Sequence, residues 1–354
     1  MKKIILVFCL FVFDLLLLFM ARTQVGFANF YSTTIYPFWV NTLGRFSNFF
    51  PFSLVSLLLY LLLLYILLLG ILNIHNKKFH FQNSIKNVLL FAVTLFTIYV
   101  LTCGINYGRE SFADAYELET TSYSVSDLEA VCHILTKDVN KFSTQVSRNK
   151  SGVMILDNSI KSNFNTSSIS AMKNLGRTYP LLRGYYPSPK AVWPSWLLSY
   201  QNLTGVYSPF TVEANYNTDM GDYNIPFTAC HELSHLRGFM QEDEANFIAY
   251  LACTHSDNPN FAYSGALLGW IYCTNELKAY DYDTYQKLYA SLNTNVVADL
   301  ESNNEFWTSY EGPLSDVAEK VNDTYLKANQ QTDGIKSYNR VVDLIVAYKN
   351  RGEY

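Results

Sequence analysis

Thr228-Ala229-Cys230-His231-Glu232-Leu233-Ser234-His235-Leu236-Arg237-Gly238-Phe239-Met240-Gln241-Glu242-Asp243-Glu244-Ala245-Asn246 carries the most specific pattern in the chain. Residues four apart on an α-helix project from one face, one turn above the other, so His231 and His235 are spaced to share a metal ion. Glu232, beside the first histidine, is placed to take a proton from a metal-bound water whose pKa zinc lowers toward neutrality. A catalytic zinc takes a third protein ligand and keeps a fourth position open. Glu242 and Glu244 both offer that ligand, with Gly238 ending the first helix and turning the chain back. In a second helix over 242–254, Glu242, Ala245, Asn246, Ala249 and Cys253 share one stripe of small residues, while Glu244 shares its face with Ile248 and Leu251. A small stripe permits close helix approach, which favours Glu242. Asn246 then lies one turn on, where an amide can orient a ligating group.

H-E-x-x-H followed by E-x-x-A-N resembles the gluzincin metallopeptidases, whose third ligand is a glutamate in E-x-x-x-D or E-x-x-x-N. The resemblance implies Zn2+ held by His231, His235 and Glu242, with Glu232 as the catalytic base. Zincins often place a Tyr or His downstream to bond the oxyanion of the tetrahedral intermediate, and by that analogy Tyr263 is the candidate, ahead of His255. They also use an edge strand upstream of the zinc helix to pair with extended substrate. Gly205–Asn215, Tyr263-Ser264-Gly265 and Ser337–Leu344 further resemble an uncharacterised family of bacterial multi-pass membrane proteins with an expected extracytoplasmic zincin domain. That second resemblance spans most of the chain, and the zinc motif is its only chemically specific part.

Hydrophobic residues are 49% and aromatics 16% of the 354 residues, concentrated at the N-terminus. This predicts a transmembrane region over 1–105 and a soluble domain over 106–354. The net charge of −4 gives no sign of a nucleic-acid partner. Spans are expected near 4–20, 52–72 and 88–103. The first is long for a signal peptide and lacks a small-residue cleavage site, which favours a retained helix. Asp14 within it is either paired in a functional role or hydrated near the helix end. The aromatic first loop, Ala21–Pro51, reads as a plain connection, with an interfacial or re-entrant segment as the alternative. Lys2 and Lys3 precede the first span, Arg22 and Arg45 lie in the first loop, and Lys77, Lys78 and Lys86 lie in the short second loop. The positive-inside rule then places the N-terminus in the cytoplasm and the soluble domain outside.

The soluble section begins after Gly108, where Ser, Asn, Asp and Tyr take over. Ser126 is a candidate N-cap for a helix carrying Leu128, Val131, Leu135, Val139 and Phe142. Val153–Leu156 reads as a short strand, and Tyr207–Asn215 as a strand just upstream of the zinc helix. Glu213 and Asn215 point either to the cleft or to solvent. Asn224 and Pro226 suit the zinc helix's N-terminus, and Phe227, Cys230, Leu233 and Ser234 supply its packing face. Helices are expected over 262–277, 282–300, 313–327 and 338–349. Cys9, Cys103, Cys132, Cys230, Cys253 and Cys273 contain no C-x-x-C spacing, which argues against a cysteine zinc site and commits to no disulfide.

The resulting expectation is an α+β, mainly helical, zincin-like domain outside the cell membrane, preceded by about three transmembrane helices. Its expected activity is zinc-dependent hydrolysis of peptide or protein substrates at the extracytoplasmic face, next to the lipid bilayer. The alternatives are a catalytically inactive zincin-fold sensor or binding protein of the cell envelope, and a purely structural membrane protein without metal.

Overall fold

A helix that is apolar on every side has no face for water, and three such helices open the chain. In this computed structural model, which describes residues 2–76, 81–120 and 123–352, they are α1 (Lys2–Thr23), α2 (Leu54–Asn76) and α3 (Phe81–Thr102). Each is long and apolar enough to cross a membrane, over Lys2–Thr23, Leu54–Leu72 and Ile85–Thr102. Lys77 and Lys78, two of the lysines behind the expected orientation, lie outside the described residues.

The segment between α1 and α2 differs from the connecting loop expected of it. It is helical from Val25 to Ser47, alternating α and π turns. Tertiary bonds account for this: the Tyr31 hydroxyl donates to the Leu101 carbonyl at 2.6 Å and Ser32 Oγ to Asn106 Oδ1 at 2.8 Å. Asp14 is fully buried and accepts from Thr97 Oγ1 at 2.7 Å, so it is paired within the apolar helices.

The chain divides into two compact units, Met1–Glu110 with Ser208–Glu213, and Ser111–Tyr207 with Ala214–Tyr354. In the first, the Glu213 carboxylate accepts from the backbone N–H groups of Leu54 and Val55 at 3.0 and 2.9 Å. It thereby satisfies two orphan donors at the N-terminus of α2, a role neither of the two expected orientations included.

The second unit is mainly helical. It contains α4 (Val125–Ser143), α5 (Asn158–Thr178), α6 (Ile225–His235), α7 (Glu242–Thr254), α8 (Pro259–Tyr280), α9 (Tyr282–Ala290), α10 (Thr294–Tyr310), α11 (Pro313–Ala328) and α12 (Val341–Asn350). A small sheet joins them, with β1 (Lys190–Ala191), β2 (Gly205–Ser208) and β3 (Glu213–Tyr216) in the order β1-β3-β2. β1 and β3 run parallel, with Lys190 opposite Asn215.

Several boundaries moved for local reasons. Ser124, not Ser126, caps α4, because its hydroxyl and the Asp127 carboxylate form a reciprocal capping box. Tyr207–Asn215 is two strands with a turn between them, at which Val212 takes a φ of 53°. Val153–Leu156 forms only a single bridge, Arg148 to Met154. The backbone N–H groups of Met154 and Leu156 go instead to the carboxylates of Asp299 and Asp222, both at 2.7 Å. The helix expected over 282–300 breaks before Asn293, whose side chain caps α10 by accepting from Val296.

At the centre of the unit α8 lies against α4 and α7. A β-carbon on Gly269 would stand 2.7 Å from the Tyr250 ring, so the glycine permits this close packing. Trp270 Nε1 closes the layer by donating to Thr136 Oγ1 at 2.9 Å.

Candidate metal centre

All eleven residues of α6 are buried, so its two histidines face protein, not water. Pro226 sits in the first turn, as expected. Asn224 does not cap the helix; its amide donates to Asn303 Oδ1 at 2.9 Å. Ser264 of α8 does the capping from a distance, accepting from the Phe227 N–H at 3.1 Å and donating to the Tyr223 carbonyl at 2.5 Å. Gly238, at φ +80°, turns the chain so that α7 returns alongside α6. The small stripe on α7 makes the approach close, and the Cys253 thiol meets Cys230 of α6 through a side-chain hydrogen bond.

This packing brings His231, His235 and Glu242 together, with one ligand atom from each lying within 4.8 Å of the others. His231 Nε2 is 3.1 Å and His235 Nε2 4.0 Å from the same Glu242 oxygen, Oε2. Two ligands of one tetrahedral zinc, each ~2.1 Å from it, stand ~3.4 Å apart, so the observed separations bracket that spacing.

The far side of each ring is committed. His235 Nδ1 donates to the Phe239 carbonyl at 2.7 Å, which leaves the Nε2 lone pair aimed at Glu242. His231 Nδ1 pairs with Asn246 Oδ1 at 2.8 Å, and the Asn246 amide is itself turned by donating to the Tyr338 carbonyl at 3.4 Å. Asn246 therefore fixes the tautomer of one ligand, the orienting position expected of it.

Glu232 is buried, and its Oε2 has no hydrogen-bond partner among the described residues. An orphaned carboxylate oxygen beside three converging ligand atoms fits a water or a cation, and the two-imidazole, one-carboxylate donor set suits zinc. Burial, opposed by His231 and assisted by Glu242, pushes the Glu232 carboxyl up to about 8. Burial also holds His235 down, to about 4, against the pull of Glu242. For His231, burial is outweighed by the hydrogen bond and charge of Glu242, and its pKa is raised. Burial opposes ionisation of Glu242, but the bond from His231, the charges of both histidines and a bond from Tyr338 keep its pKa below normal.

Glu244 points elsewhere, accepting from the Phe112 N–H. Tyr263 is not brought to the centre: its hydroxyl bonds the buried Asp299, and Arg148 lies over its ring at 5.2 Å. His255 is engaged by the Leu251 carbonyl at 2.8 Å and the Tyr348 hydroxyl at 3.0 Å.

A family described as protein of unknown function, DUF3810, matches residues 31–346. The chain belongs to this family. No curated protein and no solved structure matches it. The DUF3810 match takes in α2, α3 and the whole metal centre. In this DUF3810 chain the centre opens onto a cavity of about 390 Å3 lined by Thr204, Gly205, His231, Tyr272, Asn322 and Tyr338, among others. Of these six, only His231 was singled out as a site residue in the sequence. Gly205 leaves room for the Glu232 carboxylate, and Tyr338 lies near enough to Glu242 to help hold its pKa down. Both stand in the segments Gly205–Asn215 and Ser337–Leu344 noted above, but nothing in their local spacing ties them to a metal.

Proposed function

We propose that the chain is a membrane-anchored zinc-dependent peptidase, with its metal site in an extracytoplasmic, zincin-like domain. The observation that carries this reading is the convergence of His231 Nε2, His235 Nε2 and Glu242 Oε2 beside the partnerless Glu232 oxygen. His231, His235 and Glu242 would hold a zinc ion, which would supply polarisation of a carbonyl and acidification of a water. Glu232 accepts the water's proton and delivers it to the leaving amine, a role suited to a carboxyl whose pKa burial has moved toward neutrality. Tyr338, which lines the same cavity and acts on Glu242, is the oxyanion donor in this reading.

A peptide is the favoured substrate because β2 is an edge strand of the sheet and its Gly205 lies against Glu232. An extended backbone pairing with that edge passes the base and the ligands. The lysine flanks support the sidedness, with the N-terminus cytoplasmic and the metal domain outside.

Zinc stoichiometry tests the site. Full-length wild type and Glu244→Ala should carry about one zinc per chain, and Glu242→Ala much less than half. Glu232→Gln should keep its zinc yet lose peptide cleavage by at least about 100-fold. Zinc-loaded wild type that binds peptides without cleaving them would establish the silent binding protein instead.

A further inference from the structure

α11 carries its apolar residues on the wrong side for a soluble helix. Leu314, Val317, Val321 and Tyr325 recur at spacings of three and four, which gathers them on one stripe, and all four are exposed, Val321 by 64%. Glu319 and Asn322 of the same helix line the metal cavity, while Ser315 and Leu326 are its buried residues. A second exposed apolar group, Trp193, Trp196, Leu197 and Tyr200, immediately precedes Gln201 and Asn202, which line the same cavity. Trp193 is 79% exposed.

Edge-on ring contacts extend from the second group toward the first. Trp196 meets Tyr200 edge-on at 6.0 Å, and Tyr200 meets Tyr310 at 4.9 Å, four residues before Leu314. The cavity is thus flanked by two exposed apolar and aromatic groups, which form its rim.

We propose that this rim docks on the lipid bilayer that holds the chain's own apolar helices, and that the metal site therefore acts on peptide segments lying at that membrane surface. Three observations select a bilayer as the occupant. The rim combines Trp and Tyr with aliphatic side chains, the composition that settles at the boundary of headgroups and acyl chains. Only residues 103–110 separate the end of α3 at Thr102 from the start of the second unit at Ser111. A chain of that length spans at most ~30 Å, which keeps the unit within reach of the surface. The rim also borders the cavity that His231 lines, so docking would present the site to the membrane plane. The substrate class rests on the peptidase reading above; the docking itself does not.

The test uses the full chain in phosphatidylcholine nanodiscs, with Cys9 replaced by serine and a nitroxide at Val321→Cys or Trp196→Cys. Lys173→Cys, on the exposed face of α5, is the control. Labels at 321 and 196 should collide preferentially with oxygen, as in lipid, while the label at 173 collides with a water-soluble nickel chelate. Water-like behaviour at 321 and 196 overturns the proposal. So does shielding from both reagents, the result that a second copy or a protein partner on the rim would give. In a second arm, mixed-sequence fluorogenic peptides are offered either free or palmitoylated on vesicles. Val317→Ser/Val321→Ser should lower the ratio of anchored to free cleavage roughly tenfold, leaving the free-peptide rate unchanged. Equal loss on both forms counts against docking. Zinc-loaded wild type that cleaves neither form defeats the peptidase reading, and the label measurements still decide the docking.

Discussion

Gly205 of β2 and Glu232 of α6 occupy the same small volume: a β-carbon on Gly205 would collide with Glu232 Oε1 and stand 2.7 Å from Thr228 Cγ2 and 2.8 Å from the Asn215 carbonyl. Two of these three neighbours cannot swing away, because one is backbone and the other belongs to a buried helix. Gly205→Ala should therefore displace the Glu232 carboxylate and destabilise the fold by about 1–3 kcal/mol. A lowered Tm and reduced peptide cleavage, with zinc content near one per chain, are the expected readings. Unchanged cleavage would mean that the position of Glu232 is not critical.

Asn246 touches His231 Nδ1, so it would act on a bound metal only through that ring. Asn246→Ala leaves all three ligands in place but frees the His231 ring to rotate and lose its tautomer. Zinc affinity should fall about 10–100-fold, measured by competition with a chelator. Asn246→Asp, which keeps an acceptor opposite Nδ1, should recover much of the loss.

The protons at the centre give a readout independent of turnover. Near pH 7 in the metal-free protein, Glu232, with its pKa at about 8, is protonated, and the pKa of His231 is raised, against burial, by Glu242. His235, at about 4, is neutral. A cation favours the deprotonated forms, so zinc uptake should release protons into a weakly buffered dye solution. Glu232→Gln should release about one fewer. The sign for folding follows from the same shifts. His235 has a folded pKa below its ordinary 6.5, so it contributes stability in the metal-free protein above pH 6.5. That contribution is lost as the pH falls through about 4. His231, shifted upward, works in the opposite direction.

Tyr338 and Tyr263 should behave differently when each loses only its hydroxyl. Tyr338→Phe removes the phenol beside Glu242 and should lower kcat about 100-fold or more, with zinc retained. Tyr263→Phe removes a bond to buried Asp299, which Arg148 also holds at 2.9 Å. It should cost about 1 kcal/mol of stability and leave kcat alone. The reverse outcome would restore Tyr263 as the oxyanion donor.

The three apolar helices, the helix bearing His231 and His235 and the helix after it were legible because each rests on a period or a length that one stretch of chain contains. Two histidines four apart share a face in any α-helix, and about twenty apolar residues match a bilayer wherever they occur. The preference for Glu242 over Glu244 was also legible, since helix geometry alone divides small from bulky neighbours.

Other features have no local signature. Ser264 caps α6 from 37 residues away in sequence, the Phe239 carbonyl selects the tautomer of His235, and Glu213 caps α2 from 158 and 159 residues away. Val153–Leu156 has a strand's composition, but its N–H groups are taken by carboxylates from distant segments, and satisfying a buried donor outweighs local propensity. The same logic takes the Tyr263 hydroxyl to Asp299 and away from the candidate centre, because which of 27 tyrosines reaches a buried carboxylate depends on how helices far apart in sequence pack. The chain by itself determined which side chains have the chemistry for a metal; only the tertiary structure decided which other groups surround and orient them.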